Sequence, residues 1–411
     1  MNHKIGIIRE TKIGETRVSF TPTQLQKFIK TYEIPVFIES FNERCFLDEE
    51  YKICGVKIVK KLPRDCNVIF GFKEIPLKRI SKDKIYFCFS HTAQGQKHNL
   101  PLLKKLIQKK SSLIDYEEID RNYENSMRLG RYAGMVGIIE ALSLLRERFE
   151  QENLYTMVNM MFLKPQEYQS IKGVKNHYQQ ISTFLSETYC PFDIPIVIGI
   201  VGNGRIANGI MEMLQELPYK IVDPECEIVM GLDSNYLHIA KFDRNYTSNF
   251  SIEYGDESNS YYFRAYLPYL TVLINAIKWN PDKDSKYITY SSISQMQRLN
   301  SNSRLKLIMD ISCDLNGPIE LVDKTTTFKN PYYIKNDIWI SAIDNLPSGI
   351  SDLAKESSTK VGNTLLSFFE QPLDLYTFFN DLHIYGQLSK AVIIKNGKIT
   401  ESFKNLKGFL K

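Results

Sequence analysis

The sequence predicts an α/β fold with parallel sheets in two domains, and three observations carry that expectation. Short apolar runs alternate with helix-length patterns through the first third of the chain, a second such series begins at Ile194, and a glycine-bearing turn joins an apolar run to an amphipathic pattern at 202–207. The length of 411 residues fits two or three domains at about 150 residues each.

The first series places strands at Lys4 to Ile8, Pro35 to Glu39, Asn67 to Phe72, Lys84 to Ser90 and Ser112 to Tyr116, rich in Ile, Val, Phe and Tyr. Ser19 to Pro22 reads as a helix start, with Thr21 at the boundary and Pro22 in the first turn. Residues 134–149 repeat apolar side chains at helical spacing (Ile138, Ile139, Leu142, Leu145, Phe149), a helix that should lead out of the first domain. Residues 151–190, rich in Gln, Asn, Tyr and Ser, read as a connector with helical patches. The second series predicts strands from Ile194 and at Lys220 to Val222, Val272 to Ala276, Lys306 to Asp310 and Trp339 to Ile343. The polar tract Asp243 to Tyr262 interrupts it as a long loop or small added element. At the carboxyl end, Leu388 to Lys395, Asn396-Gly397 and Lys398 to Ser402 read as a hairpin or late strand.

Composition narrows the function. Lys plus Arg number 52 against 47 Asp plus Glu, and a net charge of +5 spread over this length is no nucleic-acid footprint. Seven cysteines without a CxxC pair or regular spacing fit reduced thiols and a cytoplasmic home. The amino terminus lacks a signal-peptide pattern and the longest apolar run, Ile194 to Val201, is too short for a bilayer, so a soluble, unprocessed protein with no membrane partner is expected. No HExxH, Walker loop, GxSxG or Cys/His cluster appears, and no metal is expected.

The clearest motif is IVIGIVGNGRIA, residues 196–207, an apolar strand running into G-x-G-x-x-A and then a helix. Gly202 lets the chain turn, Gly204 lets backbone N–H groups approach a pyrophosphate, and Ala207 lets the helix pack on the strand. Gly202, Asn203, Gly204, Arg205 and Ile206 are therefore candidate dinucleotide ligands, with the helix start as the positive pole. Asp223 follows 21 residues after Gly202, where a carboxylate could accept from an adenosine ribose; a turn Asp before Pro224 is the equal alternative. NAD(H) and NADP(H) both remain open.

In the first domain three successive strands end in ionisable residues: Lys73 and Glu74, His91, and Glu117. Ligands of open parallel sheets sit at the carboxyl ends of strands, so these side chains should converge if their strands are neighbours. Arg9, Glu10 and Arg17 follow the first strand, where a guanidinium could clamp a substrate carboxylate or form a surface salt bridge.

These segments resemble a known family. RETKIGETRVSFTP is similar to the opening of the alanine dehydrogenase and transhydrogenase superfamily, and GFKEIP, YFCFSHTAQGQ, LIDYEEI and GRYAGMVGIIEAL to the lysine-forming saccharopine dehydrogenases. LPYLTVLINAIKW, LIMDISCDLNGPIE, TTTFKNPYYI, ISAIDNLPSGI and LSKAVIIKNGKI resemble the lysine-ketoglutarate reductase half of the bifunctional aminoadipic semialdehyde synthases; the chain ends just past that half, so no appended second enzyme is expected. The resemblance implies two Rossmann-like domains flanking an interdomain cleft. The first would span 1–140, completed by 345–411, with a helical connector at 141–190 and a dinucleotide-binding domain at 191–344 carrying an insertion near 226–265. It implies NAD(P)H-dependent reduction of the imine between L-lysine and 2-oxoglutarate to saccharopine, with Lys73 and His91 catalytic. Substrate contacts fall on Arg17, Gln96, Glu117 and Asp344, with Glu74 beside them.

Imine formation needs a neutral amine and then proton transfers that form and dehydrate a carbinolamine. His91 suits this near neutral pH, whereas Lys73 needs burial or a neighbouring cation to lower its pKa. One segment departs from the family pattern: Asn125-Ser126-Met127-Arg128-Leu129-Gly130 puts Arg128 out of register with the usual Arg and Arg131 beyond it, which puts the identity of the acceptor in question. Two other readings compete, an alanine dehydrogenase-like oxidoreductase using ammonia and pyruvate, and a nucleotide-binding relative without turnover. The LINAIKW and IDNLPS segments favour the saccharopine branch, and the intact Lys73, His91 and glycine turn favour turnover.

Overall fold

A computed structural model describes residues 3–93, 95, 99–119, 127–154, 158–187, 192, 194–224, 232–243, 263, 265–277, 279, 284, 286–299, 303–315, 317–369, 379 and 386–410. The polar tract 244–262, Gln96, His98, and Asn125 and Ser126 of the departing segment lie outside the described residues. The chain divides into two compact units, Met1–Arg128 with Ala354–Lys411, and Leu129–Leu353.

The first unit opens with β1 (Ile5–Ile7), β2 (Val36–Glu39), β3 (Lys57–Val59), β4 (Val68–Phe70), β5 (Ile85–Cys88) and β6 (Ser112–Asp115), all parallel in the order β6-β5-β4-β1-β2-β3. The second unit holds β7 (Ile196–Val201), β8 (Tyr219–Val222), β9 (Leu237–Phe242), β10 (Val272–Asn275), β11 (Leu307–Asp310), β12 (Tyr333–Lys335) and β13 (Ile338–Ser341). Their order is β12-β13-β11-β10-β7-β9-β8, parallel except for β12. The chain then returns to the first sheet with β14 (Val392–Lys395) antiparallel to β6, and β15 (Lys398–Ile399) turned back on it through Asn396-Gly397, both at positive φ. Both faces of these sheets are covered, so central strands such as β4, β6, β7 and β10 are buried at every residue, the pattern of parallel sheets.

The return is held by packing and specific bonds. Phe369 meets Phe20, Phe28, Phe70 and Phe379 in one aromatic cluster, with Phe70 stacked on Phe87 at 4.6 Å. Val18 N–H donates to Ser358 Oγ at 3.0 Å, and Gln24 donates to Thr359 O and Asn363 Oδ1. Gln24 also closes the cap of the Pro22–Tyr32 helix, where Thr21 and Gln24 bond reciprocally and Pro22 sits in the first turn.

The expected boundaries move. Residues 129–140 and 345–353 fall in the second unit, because the Gly130–Gln151 helix buries residues around its whole circumference there instead of leading out of the first domain. A β-carbon on Gly134 would lie 2.0 Å from the Ile206 carbonyl oxygen, and one on Gly209 2.0 Å from that of Arg131, so this helix touches the Arg205–Leu214 helix backbone to backbone. The segment read as a connector is core too: Val158, Phe162, Val174, Tyr178, Ile181 and Leu185 join the same apolar cluster as β7 and β10. Among the described residues no helix is long and apolar enough to cross a membrane.

Candidate functional site

The sheet order makes β4, β5 and β6 neighbours, so the segments that follow them leave from one edge. After β4, a β-carbon on Gly71 would lie 2.5 Å from Ile75 Cδ1, and the tight bend there is pinned by Gly71 N–H to Phe87 O and by Ser19 Oγ to Gly71 O. Phe72 and Lys73 N–H groups then donate to the two carboxyl oxygens of Glu10 at 2.7 and 3.1 Å, which ties Lys73 to the exit of β1. After β5 comes His91, at φ 49°, a left-handed conformation that a side chain with a β-carbon rarely adopts. After β6, Asp115 caps a short helical turn by accepting from Glu117 N–H.

The side chains meet as follows. His91 Nδ1 lies 3.2 Å from Glu117 Oε1 and Nε2 3.7 Å from Glu74 Oε1, with the imidazole 28% exposed. Burial pulls its pKa down, but the Glu117 charge and hydrogen bond, with Glu74, outweigh this and leave it raised. Lys73 is 8% exposed and its pKa is lowered, by burial first and by the Arg17 and Lys12 charges, against Glu15 and Glu74. Burial lifts the Glu10 carboxyl to about 8 against its two amide bonds. Burial and the Glu117 charge lift Asp115 to about 7.

Arg17 is 4% exposed, so it forms no surface salt bridge; its Nε and Nη2 donate to Glu15 at 2.7 and 2.6 Å and its guanidinium lies 4.5 Å over the Phe72 ring. Burial would raise the Glu15 pKa, but Arg17 and Lys73 hold it lowered. Glu10, Glu15 and Asp115 are thus part of the site; the sequence marks Glu10 only as a charge after the first strand and Glu15 only as a carboxylate two residues before Arg17. Asp344 follows β13 in the second unit. Arg131 is not spare for a substrate, being held by Glu212 through two bonds at 2.7 and 2.8 Å.

In the second unit, β7 runs into Gly202 at φ 115°, where a β-carbon would fall 2.9 Å from Ala276 O. Gly204 is the N-cap of the Arg205–Leu214 helix, and a β-carbon there would meet nothing within 4 Å, so this open space beside the first amides of the helix fits a pyrophosphate. The strand beside β7 is not the one the residue count picks out. β9, and not β8, pairs with β7, with Val201 opposite Phe242 and Gly202 N–H donating to Phe242 O at 2.7 Å. Asp223, exposed at the end of β8, is therefore one strand removed, and Asp243 is the carboxylate that ends the strand beside the glycine turn.

The N-terminal domain model of the alanine dehydrogenase/PNT family matches residues 6–136 and its C-terminal domain model residues 226–402. The alpha-aminoadipic semialdehyde synthase of Arabidopsis thaliana is 26% identical over 98% of this chain and 41% of its own length, and the mitochondrial one of Mus musculus 25% over 95% and 46%. The chain thus spans less than half the length of these relatives. An alanine dehydrogenase of Methanococcus maripaludis is 23% identical over 98% of this chain and 93% of its own. Among solved structures, an L-alanine dehydrogenase aligns with TM-score 0.63 at 17% identity over 99% of this chain and 100% of that one, a likeness of fold.

Proposed function

Since the chain belongs to the alanine dehydrogenase/PNT family, we propose that it is an amino-acid oxidoreductase that joins the side-chain amine of L-lysine to 2-oxoglutarate and reduces the imine to saccharopine, reversibly. The carrying observation is a pair of groups at neighbouring strand ends pushed in opposite directions, Lys73 toward its neutral amine and His91 toward its imidazolium. The cofactor is a nicotinamide dinucleotide, NAD(H) or NADP(H), which when bound supplies the hydride that turns the imine into a secondary amine. Gly202, Asn203, Gly204, Arg205 and Ile206 would take its pyrophosphate, and Asp243 its adenosine ribose.

The incoming lysine ammonium must lose a proton before it can attack, and Lys73 Nζ, already biased to the neutral form, takes it. The carbinolamine must then lose water. His91, kept charged by Glu117 and Glu74, gives its proton to the departing hydroxyl. Arg17, fixed by Glu15, is assigned to a carboxylate of the oxo acid; Gln96, which lies outside the described residues, and Asp344 are assigned substrate contacts on the family resemblance alone. A second reading, ammonia plus pyruvate, is favoured by the match over 93% of an alanine dehydrogenase.

Nicotinamide absorbance with the purified chain decides. Oxidation of NADH or NADPH that requires both lysine and 2-oxoglutarate supports the first reading; oxidation with ammonia and pyruvate alone would replace it.

A further inference from the structure

Nothing in the acid–base chemistry just described explains why His91 stays in a left-handed backbone conformation, which is uphill for a residue with a β-carbon. The residues on either side of it supply the reason. Ser90 and Thr92 are both buried, at 0% and 1% exposure, and their hydroxyls bond to each other at 2.7 Å. Ser90 Oγ also donates to Asp115 Oδ2, and Ser90 N–H leans on Asp115 Oδ1 at 3.4 Å. The same Oδ1 accepts Glu117 N–H at 2.9 Å. One carboxyl group, itself 0% exposed, therefore grips the backbone flanking His91 and the backbone of the residue that faces its Nδ1. Asp115 is in turn fixed to the residue that precedes β14 by its N–H, which donates to Ala391 O at 3.0 Å.

We propose that Asp115, acting through Ser90, is the positioning residue that sets the His91 imidazole against Glu117. It touches no reacting atom. Its work is to keep the β5 and β6 exits in register, so that the imidazole meets Glu117 on one nitrogen and Glu74 on the other. The role deepens the reading of His91 as proton donor and rests on it.

Among the described residues, the ionisable groups facing His91 are Glu117 and Asp115 from the β6 exit and Lys73 and Glu74 from the β4 exit. Loss of the Glu117 contact removes the main influence holding the imidazole protonated, so its titration should fall while burial and Lys73 still act. The test uses the full chain with Ser90→Ala, Ser90→Thr and Asp115→Asn, and two readouts. In NMR, the His91 imidazole, assigned by its loss in His91→Gln, is titrated in each folded variant. In kinetics, kcat, KM and the pH profile are measured with lysine and 2-oxoglutarate.

The expected result for Ser90→Ala is a downward shift of the imidazole titration by about one pH unit, a matching move of its limb in the pH profile, and at least a tenfold loss of kcat with KM little changed. Ser90→Thr, which restores the hydroxyl, should recover most of both. Asp115→Asn should resemble Ser90→Ala, and if it fails to fold the serine pair decides alone. An unchanged titration in Ser90→Ala overturns the proposal. A chain inactive on these substrates would sink the functional reading instead, and the NMR titration would still judge the clamp.

Discussion

Glu140 offers a perturbation whose size follows from its surroundings. It sits mid-helix in the second unit at 2% exposure, with Oε2 buried and unbonded, and burial, then the charge of Glu147, pushes its carboxyl up to about 8 despite Lys164. In the unfolded chain the same group titrates near 4.5. The folded state therefore holds a proton that the unfolded state gives up, and the stability this confers is complete below the unfolded value and is lost as pH rises through the folded one. The slope is about 1.4 kcal/mol per pH unit between the two titrations and tapers at each, which amounts to roughly 3.5 kcal/mol between about pH 5 and pH 8. Glu140→Met keeps the volume and removes the carboxyl, so the gap in stability between variant and wild type should widen by about that amount over the window. The two tryptophans, Trp279 and Trp339, both lie in the second unit, so urea unfolding followed by their fluorescence reports this unit. A gap that stays constant from acid to alkaline pH would refute the reasoning.

Gly204→Val should leave thermal stability nearly unchanged, since its β-carbon meets nothing, yet weaken NADH binding at least tenfold in calorimetric titration by filling the space left for the pyrophosphate. Asp243→Ala should weaken the same binding while Asp223→Ala does not, because β9, and not β8, adjoins the glycine strand; the reverse ranking would restore the residue count. Glu15→Gln leaves the Arg17 guanidinium buried without its carboxylate and should cost about 3–5 kcal/mol, read from the circular dichroism transition that tryptophan fluorescence does not follow.

Apolar runs announce their strands: β1, β2, β4 to β7, β10, β11 and β13 stand where such runs predict them, because a strand buried on both faces has no polar position to disguise it, and β8 stands at its expected place although two of its four residues are exposed. β3 and β12 escape notice as edge strands with half-exposed residues. β9 escapes because His238 and Lys241 interrupt its pattern; His238 is nevertheless 2% exposed, its Nε2 at 2.7 Å from Asp233 O. That single omission is what points a residue count to Asp223. The helix at 130–151 misleads about the domain boundary for a related reason, since Glu140, Ser143 and Arg148 are buried beside its apolar residues and no polar face marks which unit it serves. Lys73, Glu74, His91 and Glu117 are legible because strand ends are. The buried roles of Glu10, Glu15 and Asp115 are not, because a buried carboxylate is recognised only by the amides, hydroxyls and guanidinium around it.

The central claim is that this chain moves hydride to an imine built from an amino acid and an oxo acid. Incubation with lysine, 2-oxoglutarate and nicotinamide cofactor deuterated at the transferable position, followed by mass spectrometry, tests it directly. The account predicts saccharopine carrying one deuterium on the carbon that was the oxo carbon of 2-oxoglutarate, and deuterium found only in alanine made from ammonia and pyruvate, or in no product at all, would contradict it.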